Sequence, residues 1–142
     1  MSNTNKDLSA RTLQPDDVSR VLVQALETGD IETSVAVYEA SAVLFSKSGR
    51  TMVGLEAIRK NNAALIALKP TFAIDFIKFT VSGDGTLATN RMKADLSWQD
   101  AEGKLVQASV DTLEVLRKQE DGSWRYIIDD PYGSMRANLT ER

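Results

Sequence analysis

The chain has 142 residues, 42% of them hydrophobic, and a formal charge of −3. That size and apolar content suit one ordinary domain, and its basic residues are too scattered to form a stripe for nucleic acid or an anionic membrane. It contains no cysteine and no histidine, which excludes disulfides, thiol nucleophiles, the Ser-His triad and the usual zinc sites; acid–base chemistry is left to Asp, Glu, Tyr and Lys.

The opening stretch, MSNTNKDLSARTLQ, is polar and lacks the apolar run of a signal peptide or membrane span, so a cytoplasmic protein with a flexible tail over residues 1–13 is expected. A first helix begins at Pro15, with Asp16 and Asp17 suited to its positive end. Val18, Val21, Leu22, Ala25 and Leu26 make one apolar stripe. Gly29 fits its C-terminal cap, and Asp30 the N-cap of a short second helix on which Ile31, Val35 and Tyr38 share a face.

Residues 42–46 read as a short strand, KSGR as a turn, and Gly54 as the entry to a third helix. Its stripe of Leu55, Ile58, Asn62, Leu65 and Leu68 ends before Pro70. From Thr71 the period becomes two, with a phase change that predicts a β-bulge near residues 76–77. Hairpin turns at SGDGT, DAEGK and QEDGS separate long strands over Thr86 to Trp98, Leu105 to Lys118 and Trp124 to Asp129. Helices followed by an antiparallel meander make an α+β layout, a single domain over residues 14–135, with 136–142 expected to fray.

Three segments in this order, GDIETSVAVYEASAVLF, GLEAIRK and DGSWRYIIDDPYG, resemble the nuclear transport factor 2-like superfamily, which includes ketosteroid isomerase-like and SnoaL-like proteins. The resemblance covers about residues 15–133. It implies a cone in which a curved antiparallel sheet wraps three helices around a mostly apolar pocket. It also implies a homodimer through the outer sheet face, where Leu113 and Val115 would otherwise meet water.

The steroid isomerases place a carboxylate base just after the first short strand; the matching position here is Ser46. They place an oxyanion-donating tyrosine on the first helix; the matching position is Leu22. Their protonated acid on the penultimate strand corresponds to Glu114, within Leu113-Glu114-Val115-Leu116-Arg117. The isomerase acid is a standing example of a carboxyl kept neutral by apolar surroundings. If Glu114 points inward, Val110, Thr112 and Leu116 share its face, and desolvation would raise its pKa and let it donate to a ligand carbonyl. Otherwise it faces solvent or pairs with an arginine.

Period two also assigns Asn90, Met92, Ala94, Leu96 and Trp98 inward. Arg91, Lys93 and Asp95 then lie outward beside Asp111 and Arg117, as cross-strand ion pairs. Trp98 either lines the pocket or fills the core, while Trp124 reads as structural. Asn62 and Tyr38 contact a ligand or have their polar atoms satisfied inside the protein. Asp129 and Asp130 face opposite sides, so only one can act as a base in the pocket, with Asp129 the candidate. Together with Glu114 this gives a candidate catalytic pair, with Tyr38, Asn62, Met92, Trp98 and Thr112 as candidate ligand contacts. No metal or cofactor is implied. Three functions follow: a pocket that binds a small apolar molecule with the isomerase set incomplete, which the missing base and tyrosine favour; a small isomerase, cyclase or hydratase acting on an apolar carbonyl compound; or, as the resemblance implies, a subunit that docks on a partner through its sheet face.

Overall fold

The computed structural model describes residues 4–133; the expected fraying of 136–142 lies outside the described residues. Helix α1 spans Thr4–Arg11, α2 Pro15–Thr28, α3 Ile31–Ala36 and α4 Leu55–Ala67. Strands β1 (Tyr38–Phe45), β2 (Thr51–Val53), β3 (Thr71–Val81), β4 (Leu87–Gln99), β5 (Leu105–Asp111), β6 (Leu113–Lys118) and β7 (Trp124–Asp130) form one curved, unclosed sheet. Its order is β2-β1-β7-β6-β4-β3, with β5 also paired to β4. Every pairing is antiparallel except β1 with β7.

The helix punctuation follows the residues. Gln14 N–H donates to Asp17 at the start of α2 (3.0 Å), and Gly29 ends the helix at φ 79°, a conformation that costs glycine little. Asp30 then caps α3 through Thr33 N–H at 3.1 Å. The α2 stripe is wider than the five residues expected, because Ser19 and Val23 are buried as well. This helix is covered on more than one side, by the sheet and by its helical neighbours.

Four expectations need correction. Within the expected tail lies a helix, α1, whose Leu8 enters the main core. Ser9 hydroxyl donates to Asp121 in the β6–β7 turn (2.6 Å), and Trp124 N–H donates to Thr12 carbonyl (3.0 Å). The described helices therefore number four. Tyr38 does not close α3: the helix stops at Ala36, and Tyr38 begins β1, where it pairs with Tyr126 across the parallel ladder. The strand expected from Leu105 to Lys118 is interrupted at Thr112. There the Thr112 hydroxyl, in place of its carbonyl, accepts Met92 N–H (3.0 Å), and the carbonyl accepts Arg91 Nε (3.1 Å). Register with β4 is kept across the break, since Lys93 faces Asp111 and Asn90 faces Glu114.

Bulges bend the sheet. One falls between Ile74 and Phe76, just before the expected position, and turns Phe72 and Ile77 to the same side. Another lies opposite the Val115–Leu116 step, where Ile127 is the extra residue of β7. The concave face carries two cores. Val18, Val37, Ile58, Leu116, Trp124 and Tyr126 anchor the first; Val23, Met92, Ala94, Leu96 and Val110 make the second. Trp124 is structural, as expected. The convex face carries the ion pair Arg91–Asp111 (3.4 Å) and the Ser109–Asp95 hydrogen bond (2.7 Å). No helix among the described residues is long and apolar enough to cross a membrane.

Candidate functional site

Between the concave face, α2 and α4 lies a cavity of about 330 Å³, within the range of small-molecule sites. Leu22, Val23 and Leu26 from α2, Leu65 from α4 and Leu68 at its C-cap, and Phe72, Met92, Leu96 and Val110 from the sheet give it apolar walls. Ser46, Lys47, Pro131 and Tyr132 also border it. Its polar atoms converge from the strands: Glu114 and Thr112 from β5–β6, Asp129 and Tyr126 from β7, and Tyr38 from β1, with Ser19 added by α2.

Glu114 and Asp129 are directly opposite in the β6–β7 register, and both are buried, at 4% and 3% exposure. Two carboxyls so placed cannot both ionise cheaply. Burial above all, then the charge of Asp129, pushes Glu114 well above the ordinary glutamate range, against an opposing hydrogen bond from Thr112. Burial also pushes Asp129 up to about 6, while hydrogen bonds from Tyr38 and Glu114 hold it down. The Tyr38 hydroxyl donates to Asp129 Oδ2 at 2.5 Å. Burial, followed by the Asp129 charge, raises Tyr38 itself, so it stays a phenol. Burial and mutual repulsion therefore favour a proton shared by the pair, with Glu114 the member pushed further toward its neutral form.

The inward direction of Glu114, Thr112 and Met92 agrees with the alternation in the sequence, and all three border the cavity. Tyr38 borders it too, although from a strand. Asn62 does so while its Nδ2 donates to Ser34 Oγ (3.1 Å) and Ser34 carbonyl (3.3 Å). Its amide nitrogen thus joins α4 to α3. Trp98 does not line the cavity; it packs, half-buried, against the second core. The reason is position: Trp98 pairs with Val106 near the far end of β4, beyond Leu96. Leu22 and Ser46, expected to match the positions of the isomerases' tyrosine and base, both border the cavity and bring no acid–base group to it.

Two polar residues, Tyr126 and Ser19, escaped the sequence reading, and Asn90 was placed inward without a role. Tyr126 and Ser19 join hydroxyls at 2.7 Å, and burial pushes the Tyr126 phenol up. Asn90 donates through Nδ2 to Pro15 carbonyl (2.7 Å) and Ser19 Oγ (2.9 Å). Strand period two already places Asn90 inward. Ser19 gave no signal, since it interrupts an apolar helix face and reads there as neutral.

The comparisons agree with this geometry. Residues 19–127 match the family model described as the SnoaL-like domain. Solved structures of the same fold include a ketosteroid isomerase-like protein from Erwinia carotovora atroseptica (TM-score 0.68, 19% identity, covering 86% of this chain and 92% of that one). A member of the NTF2-like family from Streptomyces avermitilis aligns at TM-score 0.70 and 17% identity, over 82% of this chain and 91% of its own. An uncharacterised protein with a cystatin-like fold from Caulobacter vibrioides aligns at TM-score 0.70 and 12% identity, over 89% and 95%. No curated protein matches the chain. At these identities the structures speak for the fold alone, and the family model spans most of the chain: this protein belongs to the SnoaL-like domain family.

Proposed function

We propose that the cavity binds a small, largely apolar carbonyl compound, with its oxygen directed at Glu114. One observation carries this reading: a buried carboxyl, pushed by that burial toward its neutral form, stands among apolar walls, where a single hydrogen bond both orients a ligand and relieves the acid's desolvation. The test is a series of ring ketones labelled with 13C at the carbonyl. A ligand seated against Glu114 shows a downfield carbonyl shift on binding. Glu114→Gln, which keeps the shape and loses the acid proton, should weaken binding about tenfold and reduce that shift. Unchanged binding and shift would remove Glu114 from the site.

A second reading, proton transfer on that ligand, is favoured by the position of Asp129 at about 6. A base whose pKa lies near ambient pH combines availability with driving force. A carbonyl oxygen that takes over the Glu114 proton in a hydrogen bond also withdraws a hydrogen bond that holds Asp129 down, so the base strengthens as the ligand seats. The reaction would be cofactor-independent, of the isomerase, cyclase or hydratase kind. In D2O, exchange of protons next to the carbonyl should rise with pH through about 6 and vanish in Asp129→Asn. Exchange that survives that substitution would leave the site a binding pocket only.

We also infer a homodimer in the cytoplasm, paired through the convex face. Register places Val53, Val43, Ile128, Val115, Thr89 and Thr80 in one row across it, and Ile128 and Leu113 are 40% and 39% exposed. Nearby charges of both signs, including Arg91, Asp111, Arg117 and Glu39, suit self-pairing about a two-fold axis.

A further inference from the structure

Behind the Glu114 carboxyl lies a polar arrangement that the proposed chemistry leaves unused. Asn90 and Glu114 are directly paired across β4 and β6, which brings side chains on one face within reach of each other. Asn90 Oδ1 and Glu114 Oε1 are both buried acceptors with no hydrogen-bond partner among the described residues. The orientation of the Asn90 amide is set by its surroundings. Its Nδ2 donates to Pro15 carbonyl and Ser19 Oγ, and a flipped amide would press Oδ1 against that carbonyl. The proton on Glu114 is engaged by Asp129, which its hydrogen bond helps to hold down. The Thr112 hydroxyl bonds the same carboxyl yet leaves Oε1 without a partner among the described residues, so two neighbouring acceptors need two donors that neither acid nor amide has to give.

We propose that one water molecule is bound between Asn90 Oδ1 and Glu114 Oε1, donating a hydrogen to each, and that Asn90 is thereby a positioning residue for the Glu114–Asp129 pair. Water is the smallest molecule with two donors, and buried waters recur where such polar atoms face one another. Held from behind, the Glu114 carboxyl keeps one oxygen on the water and turns the other, with its proton, toward Asp129 and the cavity. Asn90 is fixed in turn by α2, so the helix that walls the cavity also sets the orientation of the acid. The water site stands on the two acceptors alone; the positioning role rests on the function proposed for Glu114.

A crystal structure of the wild-type protein at about 1.5 Å tests the site without any ligand or turnover, since ordered water is visible there. The expected result is a density peak within hydrogen-bond distance of both atoms. Direct contact between the two oxygens, or no peak, overturns the proposal. The role is tested by Asn90→Leu, read through carboxyl 13C titration of Glu114 and Asp129, the groups that Tyr38 and Tyr126 also face. A water that donates to a carboxyl favours its charged form, so its loss should raise the upper midpoint of the pair by about one unit. An unchanged or lowered midpoint overturns the positioning role. Where Asn90→Leu fails to fold, Asn90→Thr, which keeps a polar atom but shortens the reach, gives the same readout.

Discussion

Tyr38→Phe isolates one hydrogen bond with little change in packing. The ring stays tilted against Tyr126, with centroids 5.2 Å apart, and only the oxygen that donates to Asp129 is lost. A hydrogen bond to an ionised carboxylate contributes about 1.5–3 kcal/mol, and one to the neutral acid about 0.5–1.5. The difference, about 1.4 kcal/mol, corresponds to about one pKa unit. Asp129 should thus move from about 6 to roughly 7. Its folded pKa already lies above the ordinary 3.8, so the folded state holds its proton longer than the unfolded state does. Stability linked to this group is therefore full below about pH 4 and is lost as pH rises through the folded pKa, at a cost of about 3 kcal/mol in the wild type. In the variant that loss extends to higher pH. The two proteins should differ by about 1 kcal/mol near pH 4 and about 2.5 kcal/mol near pH 8. Urea unfolding across this range, with a carboxyl 13C titration, measures both quantities. A stability difference independent of pH, or an Asp129 midpoint that fails to rise, would refute the reasoning.

The neighbouring groups give three further expectations. Asp129→Asn removes the buried charge, so near pH 8 it should stabilise the protein by up to about 3 kcal/mol and near pH 4 by little, measured by the same unfolding; a loss of stability at both pH values contradicts the account of burial. Thr112→Val removes a hydrogen bond that lowers Glu114. The Glu114 midpoint should climb further, and Met92 N–H, deprived of its acceptor, should exchange with solvent faster. Stability should fall by about 1–3 kcal/mol. Ile128→Lys places charge in the apolar row of the convex face and should convert a dimer to monomer in analytical ultracentrifugation; a species unchanged in mass would place the interface elsewhere.

The order of elements was readable because each boundary has local chemistry: Pro15, Gly29, Asp30 and Pro70 end or begin helices for reasons that act within a few residues. Alternation likewise placed Glu114, Thr112 and Met92 inward, since β4 and β6 keep their phase around the positions concerned. What escaped depended on distant partners. Nothing near Leu8 shows that the first helix docks on the β6–β7 turn. Tyr38 continues the apolar face of α3 in sequence, and only its parallel pairing with Tyr126 makes it a strand residue. Trp98 has the right phase but lies too far along β4 to reach the cavity.

The same distinction explains Asp129. In an unbroken strand, Tyr126, Ile128 and Asp130 would face the cavity together, and Asp129 would face outward with Ile127. The extra residue at Ile127 reverses the phase, leaving Tyr126 inward, Ile128 exposed and Asp129 buried against Glu114. This single irregularity assembles the pair. It brings a second carboxyl within reach of the acid on β6 and of the hydroxyl on β1, and it does so on strands rather than on the first helix or the loop after the first strand. Leu22 and Ser46, expected to match two acid–base positions of the steroid isomerases, bring no such group, yet the cavity holds two carboxyls and the phenols of Tyr38, Tyr126 and Tyr132. The polar set lies on the sheet, where the bulge orients it. A site built this way depends less on which residue types occur than on where the strand slips by one.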